Sequence, residues 1–120
     1  MDEAWFTQCA DELAEALIAA RESAAACEAL LEQARGRLGP EAERRLLATV
    51  AAPAAIARVL MDIMDRPPAL VLACAQACHD ASLTACRQLD ANELPLDAAP
   101  AIAALSASAA ACRRLLDAAL

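Results

Sequence analysis

Six cysteines, three methionines and one histidine are the side chains of this 120-residue chain with the most chemistry in them. The cysteines are Cys9, Cys27, Cys74, Cys78, Cys86 and Cys112. A thiol pointing into packed helices either fills space as a small apolar group or ligates a soft metal ion. Cys74 and Cys78 are four residues apart, which on a helix sets both sulfurs on one face about one turn apart. That pair offers two thiolates to one ion, and Cu(I), which soft sulfur ligands select, accepts two or three. Other chemistries find less support. Zinc sites want four ligands at set spacings, and neither a CxxC nor an HxxxH pair occurs. A nucleophilic cysteine needs a positioned base, and the lone histidine, His79, adjoins Cys78 with no third group to orient it. Carboxylate-bridged di-iron chemistry needs inward Glu and ExxH motifs, and no ExxH occurs. No enzymatic activity is expected.

The elements that must position the thiols are helices. Ala and Leu dominate, β-formers are scarce, and there is one Trp, one Phe and no Tyr. Strong punctuation divides the chain into four helical segments within a single domain, residues 1–120. The first runs from residue 2 to about 33–35 and ends at Gly36 and Gly39-Pro40. The second covers about 40–64, with Pro40 suited to its first position. The third follows Pro67-Pro68 and extends to about residue 89. The fourth starts near Asp97, a suitable N-cap, with Pro100 in its first turn. Pro53 falls inside the second segment and should kink or divide it.

Within each segment the apolar residues recur at alternating intervals of three and four. The first stripe passes through Phe6, Cys9, Leu13, Leu17, Ala20, Ala24, Cys27, Leu31, Ala34 and Leu38. The second takes Leu47, Val50, Ala54, Ala57, Met61 and Met64. The third takes Val71, Cys74, Cys78, Ala81 and Ala85, with Cys86 at its flank. The fourth takes Ile102, Leu105, Ala109, Cys112, Leu116 and Ala119. Short connections make neighbouring helices antiparallel, so the expected fold is all-α, an antiparallel up-down-up-down four-helix bundle. With about 1.5 Å of rise per residue, Met61, Met64, Cys74, Cys78 and Cys112 fall in one band roughly 10 Å tall in the lower half. Cys27 and Cys86 meet in the upper half, and Cys9 lies near the bottom. The candidate metal ligands are therefore Cys74, Cys78 and Cys112, with Met61 and Met64 as thioether neighbours, then the pair Cys27 and Cys86, then Cys9. Met more often fills core gaps, and a buried Cys can equally be an inert packing residue.

The net charge of −7 argues against nucleic acid, whose phosphates call for Lys and Arg stripes. Asp11, Glu12, Glu15, Glu22, Glu28 and Glu32 form a solvated acidic face. No run of 18 uncharged apolar residues suggests a membrane span; the uncharged stretch 98–112 is too short. The acidic start, MDEAWFTQCADE, lacks the basic and apolar regions of a signal peptide. A cytoplasmic location with free thiols is the expectation. Ala and Cys fill little volume, so the core is either narrow or completed by something that is not protein.

The stretch LACAQACHDASLTACRQL resembles the Cys-rich helices of the four-helix-bundle copper-binding proteins, the group that includes the copper storage proteins. Those helices repeat C-x3-C and C-x2-C spacings. AAACRRLLDAAL is similar to their last helix. The motif itself covers about residues 73–88 and 110–116. The resemblance implies a cytosolic bundle, often a homotetramer, binding Cu(I) along its core through thiolates. Cys74 and Cys78 match the first two motif cysteines, Ala81 and Ala85 stand where the next two would be, Cys86 comes one place later, and Cys112 matches a cysteine of the final helix. Six thiols are fewer than a storage protein carries, so the expectation is a few copper ions rather than many, or a relative that has lost its metal. Two alternatives remain: a structural or interaction bundle without metal, forming a dimer or tetramer, and a thiol redox sensor, which needs an exposed low-pKa thiol.

Overall fold

The computed structural model describes residues 2–63, 65–92 and 94–119, with side chains from residue 4 onward. It is all-α. A short α1 (Asp2–Gln8) leads into four long helices, α2 (Ala10–Ala34), α3 (Pro40–Asp62), α4 (Pro68–Ala91) and α5 (Ala99–Ala119). The expected first helix is thus two, joined at Cys9. The break is one residue deep: Cys9 still donates to the Trp5 carbonyl at 2.9 Å and accepts from Leu13 at 2.8 Å. Trp5 and Phe6 stack edge to face at 4.8 Å and pack against the neighbouring core.

The boundaries follow local chemistry. Gly36 takes a φ of +74° just beyond α2, a left-handed conformation that glycine adopts without strain. Pro40 and Pro68 occupy the first turns of α3 and α4, where a missing N–H costs nothing. Asp97 accepts from the Ala99 N–H at 3.1 Å and so satisfies one free donor at the start of α5. Pro53 does not divide α3, which runs on through it with the proline ring buried.

Each long helix packs against two others: α2 against α3 and α5, and α4 against α3 and α5. The resulting particle measures 52 × 20 × 17 Å. By length and composition alone, α4 is apolar enough to cross a membrane. Asp80 lies midway along it, so it holds no long uncharged run.

The inward stripes of α2, α4 and α5 match the sequence pattern in part: Leu13, Ala20, Ala24, Cys27 and Ala34, then Val71, Cys78 and Ala85, then Leu105, Ala109 and Cys112 are inside, while Leu30, Ala75, Ser82, Ala101 and Leu115 take the inward places expected of Leu31, Cys74, Ala81, Ile102 and Leu116. In α3 Val50 and Ala57 are inside as expected, and Leu46, Pro53 and Leu60 take the places expected of Leu47, Ala54 and Met61. Leu47 is half-exposed, and Ala54 and Met61 are only partly buried.

The core is two apolar clusters rather than one. The lower contains Cys9, Leu13, Ala57, Leu60, Val71, Cys78, Cys112 and Leu115 among others, with Cys74 packed against it. The upper contains Cys27, Leu30, Leu46, Val50, Ala85, Leu89 and Leu105, with Cys86 packed against it. Between them lie buried residues that belong to neither cluster, from every long helix: Ser23, Pro53, Ser82, Ser108 and Ala109.

Candidate metal centre

Six free thiols are carried on this frame. Cys9, Cys27, Cys78 and Cys112 are fully buried, and Cys74 and Cys86 are partly buried. The structure gathers Cys9, Cys74, Cys78 and Cys112 in the lower cluster and Cys27 with Cys86 in the upper one.

Cys78 and Cys112 are the closest-coupled pair. They face each other from α4 and α5, and Ser108, one turn before Cys112, brings its hydroxyl to 3.7 Å from the Cys78 sulfur. The neutral thiols share no hydrogen bond of normal geometry, yet each sulfur lies within range of the other's charge. A Cys78 thiolate would accept from the Cys112 thiol, and this holds its pKa below the usual thiol range against the opposing effect of burial. Ser108 and Ser82 hydroxyls and the charge of His79 act in the same direction. Cys112 is pushed far up, first because it donates to Cys78, then by burial and by repulsion from Cys78 and Cys74. The two thiols therefore titrate as a unit: one proton leaves readily and the second is held.

Cys74 stands one turn from Cys78 but turns partly outward. Its thiol makes a long 3.9 Å contact to the Ile56 carbonyl, and burial and Cys78 raise its pKa. It is a neighbour of the pair rather than a third converging ligand. Among the described residues, no three His, Cys, Asp or Glu side chains form a group that could hold a metal ion.

Met61 does not join the thiols. In α3 Leu60 takes the inward place, and Met61 lies in a shallow surface depression beside Leu17, Ile18 and Arg21. Met64 lies outside the described residues. Cys9 shares the lower cluster, where burial and then the Glu12 carboxylate raise its pKa.

The upper pair is differently served. Burial, then Cys86, then Glu28 push the Cys27 thiol up to about 11. The Cys86 thiol reaches the Ile102 carbonyl and the Ser106 hydroxyl, both at 3.5 Å. His79 is mostly covered, and its Nδ1 lies 2.9 Å from an Asp80 carboxylate oxygen, so it is engaged there rather than positioned as a base.

The residues that motif reading passed over are serines. Ser82 is four residues beyond Cys78 on α4, and Ser108 is four before Cys112 on α5. Their spacing from the cysteines was the available signal: a polar residue on a thiol-bearing seam faces the same core. Chemically, Cys78 and Cys112 make a two-donor soft site with hydroxyls that favour the thiolate. Comparison with known protein families, with curated proteins and with solved structures gives no match, so none of these identifies a copper storage family.

Proposed function

We propose that this chain is a non-enzymatic cytosolic bundle that binds a few Cu(I) ions through core thiolates, with Cys78 and Cys112 as the principal ligands. The observation that carries this reading is the fully buried Cys78–Cys112 pair, set across α4 and α5 with the Ser108 hydroxyl 3.7 Å from the Cys78 sulfur. Two thiolates suffice for Cu(I), whereas zinc's four ligands are not assembled here. The long helices are read as an antiparallel up-down-up-down four-helix bundle. Supporting that topology, Cys78 meets Ser108 while Cys86, two turns on, meets Ile102 and Ser106. Glu15 likewise pairs with Arg114 across α2 and α5.

The test is anaerobic titration of the reduced protein with Cu(I) against a competing chelator. Retained copper that is lost in Cys78→Ala with Cys112→Ala supports the assignment. Absence of retained copper, or retention indifferent to both changes, overturns it. Binding to the native state alone must also raise Tm.

A second reading rests on two observations: the lack of a three-donor group among the described residues, and the half-exposed Ile18, Leu47, Val59 and Leu70. These favour a metal-free structural bundle that associates as a dimer or tetramer through its surface. Under it, copper leaves Tm unchanged and cysteine-to-alanine changes act only through packing.

A further inference from the structure

The layer between the two core clusters has its own chemistry. Ser23, Ser82 and Ser108 are fully inaccessible, and each comes from a different helix. Ser82 and Ser108 both serve Cys78, although only Ser108 comes within hydrogen-bonding reach of the neutral thiol. The hydroxyls of Ser23 and Ser82 are buried with no hydrogen-bond partner among the described residues. A serine on a helix can always turn its hydroxyl back to a carbonyl one turn earlier, as Thr49 and Thr84 do at 2.9 Å. Ser23 and Ser82 do not.

The fourth helix adds to the same layer. Pro53 has no N–H to return to the Thr49 carbonyl, so α3 lacks one helical hydrogen bond close by. The adjoining inward residues are small: Ala24 beside Ser23, Ala85 one turn beyond Ser82, and Ala109 beside Ser108. A polar layer with unmet donors and methyl-sized walls is the setting in which proteins hold internal water, at about one buried molecule per 27 residues.

We propose that this layer is a binding site for ordered water, which bridges the Ser23, Ser82 and Ser108 hydroxyls at the level of Cys78. The water satisfies the two orphan hydroxyls. It also places a proton acceptor beside the principal thiol pair, inside a core that is otherwise apolar. The site belongs to the metal-free chain and does not depend on copper.

The experiment uses the reduced, metal-free full chain. Water-to-protein magnetisation transfer is measured by NMR in the wild type. Tm is then compared for the wild type, Ser23→Ala and Ser82→Ala. The expected result is transfer from long-lived water to the methylenes of the three serines, with each alanine variant melting about 3–6 °C lower. Absence of such transfer overturns the proposal. So does an unchanged or raised Tm, because removing a dry, unpartnered hydroxyl stabilises a core whereas breaking a water bridge destabilises it. Should a variant fail to fold, the wild-type measurement decides alone.

Discussion

The two halves of the core are built from the same small vocabulary and treat their thiols in opposite ways. In the lower half Cys78 has Cys112, Ser108 and Ser82 placed to donate to it, so a thiolate is favoured there. In the upper half Cys27 has burial and two repulsive neighbours, Cys86 and Glu28, and stays protonated to about pH 11. The Cys86 thiol is occupied with a carbonyl and a hydroxyl of α5. What makes a buried cysteine a candidate ligand is therefore the set of donors aimed at it. Burial is common to both halves and does not discriminate.

The largest test of this contrast is metal affinity. Cys78→Ala should weaken the tightest Cu(I) binding by roughly 100-fold or more, because a two-donor site loses half its ligands and its favoured thiolate. Replacing Cys27 and Cys86 together should leave that tightest step intact. Chelator competition on the two variants reads the difference directly. Equal losses in both would erase the distinction between the halves.

Packing provides the next test. Leu105→Ala in the upper cluster and Leu115→Ala in the lower should each cost about 2–5 kcal/mol in denaturant unfolding. Only the second should also disturb copper binding, since the serine layer separates Leu105 from the Cys78 pair.

Alkaline pH sharpens the contrast from the other side. The folded-state pKa of Cys27, about 11, lies above the ordinary thiol value of 9.0. Its contribution is thus complete below pH 9 and is lost as pH rises toward 11, a decline on the order of 2–3 kcal/mol. Cys27→Ala should flatten that part of the stability profile, as measured by urea midpoints between pH 8 and 11. The smallest effects belong to the surface. Glu28–Arg58 beside the upper half and Glu15–Arg114 beside the lower are about half exposed. Each should contribute about 0.2–1 kcal/mol in a double-mutant cycle and fade with added salt.

Much of the fold is legible in the residues. Gly36, Pro40, Pro68 and Asp97 mark helix ends through backbone chemistry that needs no tertiary context. Helical class and part of every stripe follow from spacing, as does the division of thiols into a lower group and an upper pair. In α3 Val50 and Ala57 were legible and the rest was not, because Leu46-Leu47 and Leu60-Met61 each offer two apolar residues in succession. Either register satisfies a three-four alternation, and packing chose the one that buries Pro53. Met61 left the candidate site for that reason alone. The break at Cys9 carries no glycine or proline to announce it. The serines were hidden by the assumption that a core position is apolar, although Ser23, Ser82 and Ser108 each lie four residues from a cysteine on the same helix.

That spacing has a consequence of another kind. Along α4, Cys74, Cys78, Ser82 and Cys86 succeed one another at every fourth residue, so the helix carries a row of second-row and first-row donors differing by one heavy atom at each rung. Alanine, serine and cysteine share a Cβ and little else, and most of the inward positions near the middle of the molecule hold one of the three. A rung can change from inert to wet to metal-binding by the exchange of a single atom, with the surrounding leucines unmoved. Under the copper reading proposed above, capacity for soft ions is a property that such a scaffold gains or sheds in single steps, with no redesign of its fold.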